Sequence, residues 1–118
     1  MAVTANPVAA YRVHFYGHSE AAGADDKDKK ADIFLICTEP QQLGPLVGTV
    51  SFYSPEVAAA RQDRLDDAGR PQGHLSITEL GAVVDVLRHE RPLAVMWDDT
   101  RQLVWLATGP EPVGEEEN

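Results

Sequence analysis

The chain has a single cysteine, only three lysines and no apolar stretch long enough to cross a bilayer, and each shortage excludes something. Cys37 cannot close an internal disulfide. It stands in the run Ile33-Phe34-Leu35-Ile36-Cys37, where a free thiol packs as a small hydrophobe, as expected in a reducing compartment. A membrane span needs about 20 apolar residues, and Met1 to Pro7 lack the basic start and apolar core of a secretory leader. A cytoplasmic protein is the expectation. Positive charge is also scarce: ten Lys and Arg face nineteen Asp and Glu, a net charge of -9. That balance favours solubility and opposes non-specific attraction to phosphate backbones or anionic lipid. Part of the excess collects in Glu111 and Glu115 to Glu117, so residues 110–118 read as an acidic tail, and the body can still carry a local basic face.

Motifs that carry chemistry are missing too. There is no Gly-rich phosphate loop, no nucleophile elbow and no Cys-x-x-Cys pair. His14, His18 and Glu20 are residue types that zinc prefers, but four residues along an extended strand separate side chains by roughly 13 Å. They read as surface groups. Asp25, Asp26 and Asp28 lack the glycine and terminal glutamate of a calcium loop. Asp98 and Asp99 fall in a hairpin connection, where they read as turn formers facing water. No catalytic residue, metal or cofactor is therefore assigned, and a non-enzymatic protein is expected.

What is present describes one domain, 1–118. Its 118 residues are 43% hydrophobic and 25% charged, enough to bury roughly two-thirds of the unfolded surface. Residues 1–9 show no period and read as a loose lead-in. From Tyr11 to Gly17, Tyr11, Val13 and Phe15 alternate with Arg12 and His14, the period of a half-buried strand. After a polar connection, Asp32 to Thr38 is apolar on both faces, as a covered central strand would be. Leu46 to Tyr53 resumes extended structure, with Val50 and Phe52 on opposite parity to Thr49, Ser51 and Tyr53. These three strands form an antiparallel meander. Ser54 and Pro55 can open a short helix with a thin apolar face, and Asp66 to Gly73 reads as loop.

A stronger helix follows. Ser76 and Glu79 have capping-box spacing, Leu75 and Leu80 can staple the entry, and Ile77, Leu80, Val84 and Leu87 repeat at helical intervals. Arg88, His89 and Arg91 suit the negative end of the helix dipole, and Pro92 stops it. The runs Leu93 to Trp97 and Leu103 to Ala107 then make a C-terminal hairpin. The fold class is α+β: an antiparallel sheet of meander, helix and hairpin, with one main helix packed on it.

Tyr11, Tyr16, Tyr53, Trp97 and Trp105 all fall on strands. With Arg12 beside them they could stack unpaired bases, although as core residues they would be unavailable. The helix Ala82-Val83-Val84-Asp85-Val86-Leu87-Arg88-His89-Glu90-Arg91-Pro92, the strand pair and the close Gly109-Pro110-Glu111-Pro112-Val113-Gly114-Glu115 resemble a small, largely uncharacterised bacterial group. That group is placed beside the Whirly and coactivator-type single-stranded-DNA-binding regulators. The resemblance covers roughly the second half of the chain. It implies a strongly curved sheet crossed by the helix, a homodimer, and single-stranded nucleic acid as ligand; the acidic balance, with Lys27, Lys29 and Lys30 the only lysines, departs from that role. Two readings follow: a non-enzymatic binding domain of single-stranded-nucleic-acid-binder architecture, or a protein-interaction or regulatory module that never touches nucleic acid.

Overall fold

Alternation and apolar runs become strands throughout. The structure, a computed structural model, describes residues 3–16, 28–37 and 46–109. Among them lie eight strands and two α-helices: β1 (Val3–Val8), β2 (Ala10–Phe15), β3 (Lys29–Ile36), β4 (Leu46–Tyr53), α1 (Pro55–Ala60), β5 (Arg64–Leu65), β6 (Pro71–Ser76), α2 (Leu80–His89), β7 (Leu93–Asp98) and β8 (Leu103–Thr108). The described residues include no helix long and apolar enough to cross a membrane.

The strands form two sheets where one was expected. The larger has five strands in the order β2-β3-β4-β6-β5, and the smaller has three in the order β1-β7-β8. The meander is present as the antiparallel pairs β2–β3 and β3–β4, and the hairpin as β7–β8, but the hairpin lies in the other sheet. Residues 3–8, expected to be loose, form a strand along β7, with Asn6 opposite Val95 and Val8 opposite Leu93. Their alternation is inverted: Val3, Ala5 and Pro7 point outward, while Thr4 and Asn6 lie on the side of the buried Trp97 and Val95.

Residues 71–76, the first three of which read as loop and the last two as the entry to the helix, form β6, and it pairs parallel with β4. Pro71 and Gly73 hid this strand, and each has a place in it. Pro71 is the first residue, where a missing amide is tolerated. At Gly73 the Val104 side chain comes so near that an added Cβ would lie 3.3 Å from it. The intervening turn is built on Asp66, whose carboxylate accepts from the amides of Ala68 and Arg70 at 2.9 Å and from Arg70 Nε at 2.8 Å. Burial raises this carboxyl, and the Arg70 and Ala68 donors outweigh it, holding its pKa below the ordinary value.

The shared interior takes Ala31, Ile33 and Leu35 from β3, Val50 and Phe52 from β4, Leu87 from α2, and Leu93 and Val95 from β7. The expected stripe is seated against it: Ile77, Leu80 and Val84 pack beside Leu87. The capping box takes another form. Ser76 Oγ accepts from the Thr78 amide at 3.3 Å and caps a 3-10 turn over Ile77–Glu79, after which the α-helix starts at Leu80.

The two sheets also approach closely at Gly48, where a Cβ would lie 3.3 Å from Val95 Cγ2 on β7 and 3.3 Å from the Pro71 carbonyl oxygen on the neighbouring strand β6. A side chain there would press on Val95 across the gap between the sheets and on the β6 backbone within its own sheet. Gly48→Val is expected to lower stability by about 1–3 kcal/mol, measured by urea unfolding. An unchanged midpoint would show that the sheets are not held at this point.

Candidate functional site

Strand alternation turns a second, polar face of the larger sheet away from the core. The register aligns His14 with Asp32, Asp32 with Ser51 and Ser51 with His74, so four polar residues from four neighbouring strands form one row across that face. A parallel row runs through Arg12, Phe34, Thr49, Gln72 and Arg64. Lys29, Tyr16, Tyr53 and Arg61 flank the first row.

The centre of the row is a buried carboxylate. Asp32 accepts from the Tyr16 and Ser51 hydroxyls at 2.6 Å each, and Lys29 Nζ lies 3.4 Å away. A carboxylate this far from water needs such donors, because breaking a buried pair costs about 3–5 kcal/mol. Ser51 is fully buried and its proton is committed to Asp32. Asp32 and Ser51 thereby tie β3 to β4, and Tyr16 adds the end of β2.

At the other end of the row, Asp63 ties the sheets together. Its Oδ1 accepts from the His74 amide and its Oδ2 from the Val104 amide, both at 2.9 Å, which joins β6 to β8. Burial raises its carboxyl, but the His74 side chain and the two amides outweigh that and hold its pKa below the ordinary 3.8. The His74 ring lies tilted against Tyr53 with centroids 5.9 Å apart, and the Arg61 guanidinium covers the Tyr53 ring at 4.6 Å. The His74 side chain is 5% exposed, and its Nδ1 faces Asp63 Oδ1 at 3.5 Å. These side chains, with Arg64, Gln62, Gln72 and Gln102, line an open cleft of about 330 Å³.

The smaller sheet has a different outer face. Its outward positions are Val3, Ala5 and Pro7 on β1, Ala94, Met96 and Asp98 on β7, and Leu103, Trp105 and Ala107 on β8. Val3, Leu103 and Trp105 are 45%, 42% and 36% exposed. The only charged residue among them, Asp98, is fully buried, contrary to the water-facing turn residue expected. Its carboxylate accepts from Arg101 Nε at 2.7 Å and from the Arg101 and Thr100 amides. The Arg101 side chain, then its amide, hold the Asp98 pKa low against burial. Asp99 is exposed.

The six aromatic and basic residues expected to meet nucleic acid do not share one surface. Arg12, Tyr16 and Tyr53 lie on the larger sheet's outer face, where Tyr53 is 1% exposed beneath Arg61. Tyr11 turns inward against the core, and Trp97 is buried on the inward face opposite Val104. Trp105 pairs with Met96 on the outer face of the smaller sheet. Of the histidine pair, His14 packs edge-on against Phe34 with centroids at 5.0 Å, while His18 and Glu20 lie outside the described residues. The acidic loop candidates Asp25 and Asp26 and the acidic tail also lie outside them. Cys37 is a half-buried free thiol just beyond β3.

Asp63 and His74 carried no signal as a pair, since eleven positions and a turn separate them. The polar parity of Thr49, Ser51 and Tyr53 was visible, but not what it would face. Comparison of the chain with family models, with curated proteins and with solved structures finds no match.

Both Asp63 and Asp98 titrate below the ordinary value of 3.8. Each therefore adds stability that is present above that value and is lost as pH falls through the lower folded-state value. The melting temperature is expected to drop from about pH 4 downward. Asp98→Asn should make the melting temperature lower at neutral pH and flatter in acid, whereas Asp99→Asn should leave the profile unchanged. Parallel acid profiles for wild type and Asp98→Asn would remove this role.

Proposed function

We propose that the chain is a non-enzymatic interaction module that associates through the outer face of its smaller sheet, with a second copy of itself as the partner. One observation carries this reading: that face is apolar where an antiparallel sheet facing water alternates with polar residues. β7 and β8 are apolar on both faces, the pattern of strands covered on two sides, yet Trp105, Leu103 and Val3 stand in solvent. A groove of about 410 Å³ between Ala5, Pro7, Ala94, Met96 and Ala107 runs along it. Contiguous apolar surface of this kind marks association sites. Charge favours a second copy: in a chain of net charge -9, most faces repel their like, while this one exposes no charged group among its outward strand positions. Two such faces can meet about a two-fold axis as stacked sheets.

Sedimentation of the wild-type chain is expected to show a dimer. Trp105→Glu, a change at an exposed position, is expected to give a monomer with the same far-ultraviolet circular dichroism, since an aromatic anchor is worth about 2 kcal/mol or more. A wild-type chain that stays monomeric up to its solubility limit would end the proposal.

The second reading, single-stranded nucleic acid on the larger sheet, is favoured by the placement of Arg12, His14 and Phe34 on its outer face, with Arg64 in register at the far edge. The resemblance to the Whirly and coactivator-type regulators points the same way. Binding of a labelled single strand should then weaken steeply with salt as counterions are released. A strand that stays unbound at low salt excludes it.

A further inference from the structure

We propose that the pocket between α2, β6 and β8 binds a small apolar molecule that ends in a protonated amine. The pocket holds about 300 Å³, with Val50, Leu75, Val83, Val86, Val104 and Leu106 as its apolar walls. Of the α2 residues only Leu87 is buried; Val83 and Val86 stay half-buried, which leaves this room beneath the helix. An apolar cavity of about 150 Å³ accepts a benzene ring, so this one has space for a ring with a short arm. Water in such a place has few polar partners, and an apolar group that displaces poorly held water gains affinity. Through Val104 and Leu106 the pocket lies on the inward side of β8, and it meets the association face only at Trp105.

The polar end is Asp63. Together with His74 it makes up the titratable lining, and no lysine or arginine among the described residues lines the pocket. A Cβ at Gly73 would lie 3.3 Å from Val104 Cγ1 and 3.9 Å from Asp63 Oδ1, so the carboxylate reaches the side of β6 that α2 covers. Oδ1 accepts the His74 amide and Oδ2 the Val104 amide, and His74 Nδ1 faces Oδ1 at 3.5 Å. A carboxylate offers about four acceptor positions, so these neighbours leave capacity for another donor. Burial raises the Asp63 carboxyl, but the His74 side chain and the two amides outweigh that, and the group is ionised at neutral pH. A negative charge at the end of an apolar pocket selects a cation over a neutral molecule of the same shape, because a hydrogen bond between charged groups is about twice as strong as a neutral one. The net charge of -9 draws the same sign of ligand and repels anions.

The test is a titration of the methyl-labelled full chain by two-dimensional NMR at neutral pH and constant ionic strength. The probes are benzylamine, benzyl alcohol as its neutral counterpart and benzoate as its anionic one, with ammonium chloride as the control for charge alone. Benzylamine is expected to give saturable shifts centred on the methyls of Val50, Val83, Val86, Val104 and Leu106, and to bind about tenfold or more tightly than benzyl alcohol. Benzoate should bind more weakly than either. Ala82→Phe, at an exposed α2 position in the lining, narrows the opening and should abolish these shifts while the circular dichroism stays the same. Asp85→Asn, which removes an exposed α2 carboxylate outside the pocket, should leave them unchanged. Asp63→Asn should bring benzylamine down to the affinity of benzyl alcohol. Since Asp63 also joins β6 to β8, the comparison of probes on the wild-type chain carries the same test if that variant fails to fold. Equal binding of amine and alcohol, shifts that do not saturate or that ammonium chloride reproduces, or shifts that survive Ala82→Phe would overturn the site. The pocket methyls can be read on monomer or dimer, so failure here is separate from failure of the association proposal.

Discussion

Gly48 and Val95 are where the smaller sheet lies down on the larger one, and that approach sets the position of the remaining parts. A side chain at 48 would meet a backbone oxygen and the Val95 methyls within 3.4 Å. With the gap that narrow, Ile33, Leu35, Val50 and Phe52 can share one interior with Leu93 and Val95. α2 then caps the interior with a single fully seated residue, Leu87, and a stripe of half-buried neighbours. The packing leaves each sheet one face outside the core, and the two outward faces have opposite chemistry.

Opposite chemistry follows from how each sheet meets its polar groups. On the larger sheet they are paired with one another: Asp32 collects two hydroxyls and an ammonium, and Asp63 collects two amides from different sheets. Buried carboxylates satisfied this way are expensive to disturb, so they fix the strands that carry them. The same bonds set His74, Tyr53 and Arg61 around a cleft. On the smaller sheet the one carboxylate, Asp98, is consumed by its own hairpin turn. Nothing charged remains on its outward strand positions, and an apolar sheet surface results.

The sequence was a good guide to local elements and a poor one to their partners. β4 has the bounds Leu46–Tyr53 read from its alternation, and the stripe Ile77, Leu80, Val84 and Leu87 faces the interior, because both patterns are set by backbone geometry that neighbours in the chain already share. β6 was hidden since Pro71 and Gly73 look like turn residues until Val104 is known to press on one and β4 to pair beside the other. β1 was hidden for a different reason: its alternation is inverted, with Val3, Ala5 and Pro7 outward and Thr4 and Asn6 on the inward parity, so it does not read as a half-buried strand. The aromatic set Tyr11, Tyr16, Tyr53, Trp97 and Trp105 looked like one platform because position along a strand is legible while membership of a sheet is not.

By itself the sequence determined composition, charge, the parity of each strand and the helical stripe, all of which depend on residues within a few positions of one another. Tertiary structure alone decided that there are two sheets, that β4 and β6 run parallel, and that His14, Asp32, Ser51 and His74 stand in line. It also decided that Asp63 reaches Val104 across forty-one positions. Cross-strand register is settled by packing and by the satisfaction of buried polar groups, and those energies exist only once distant segments have met.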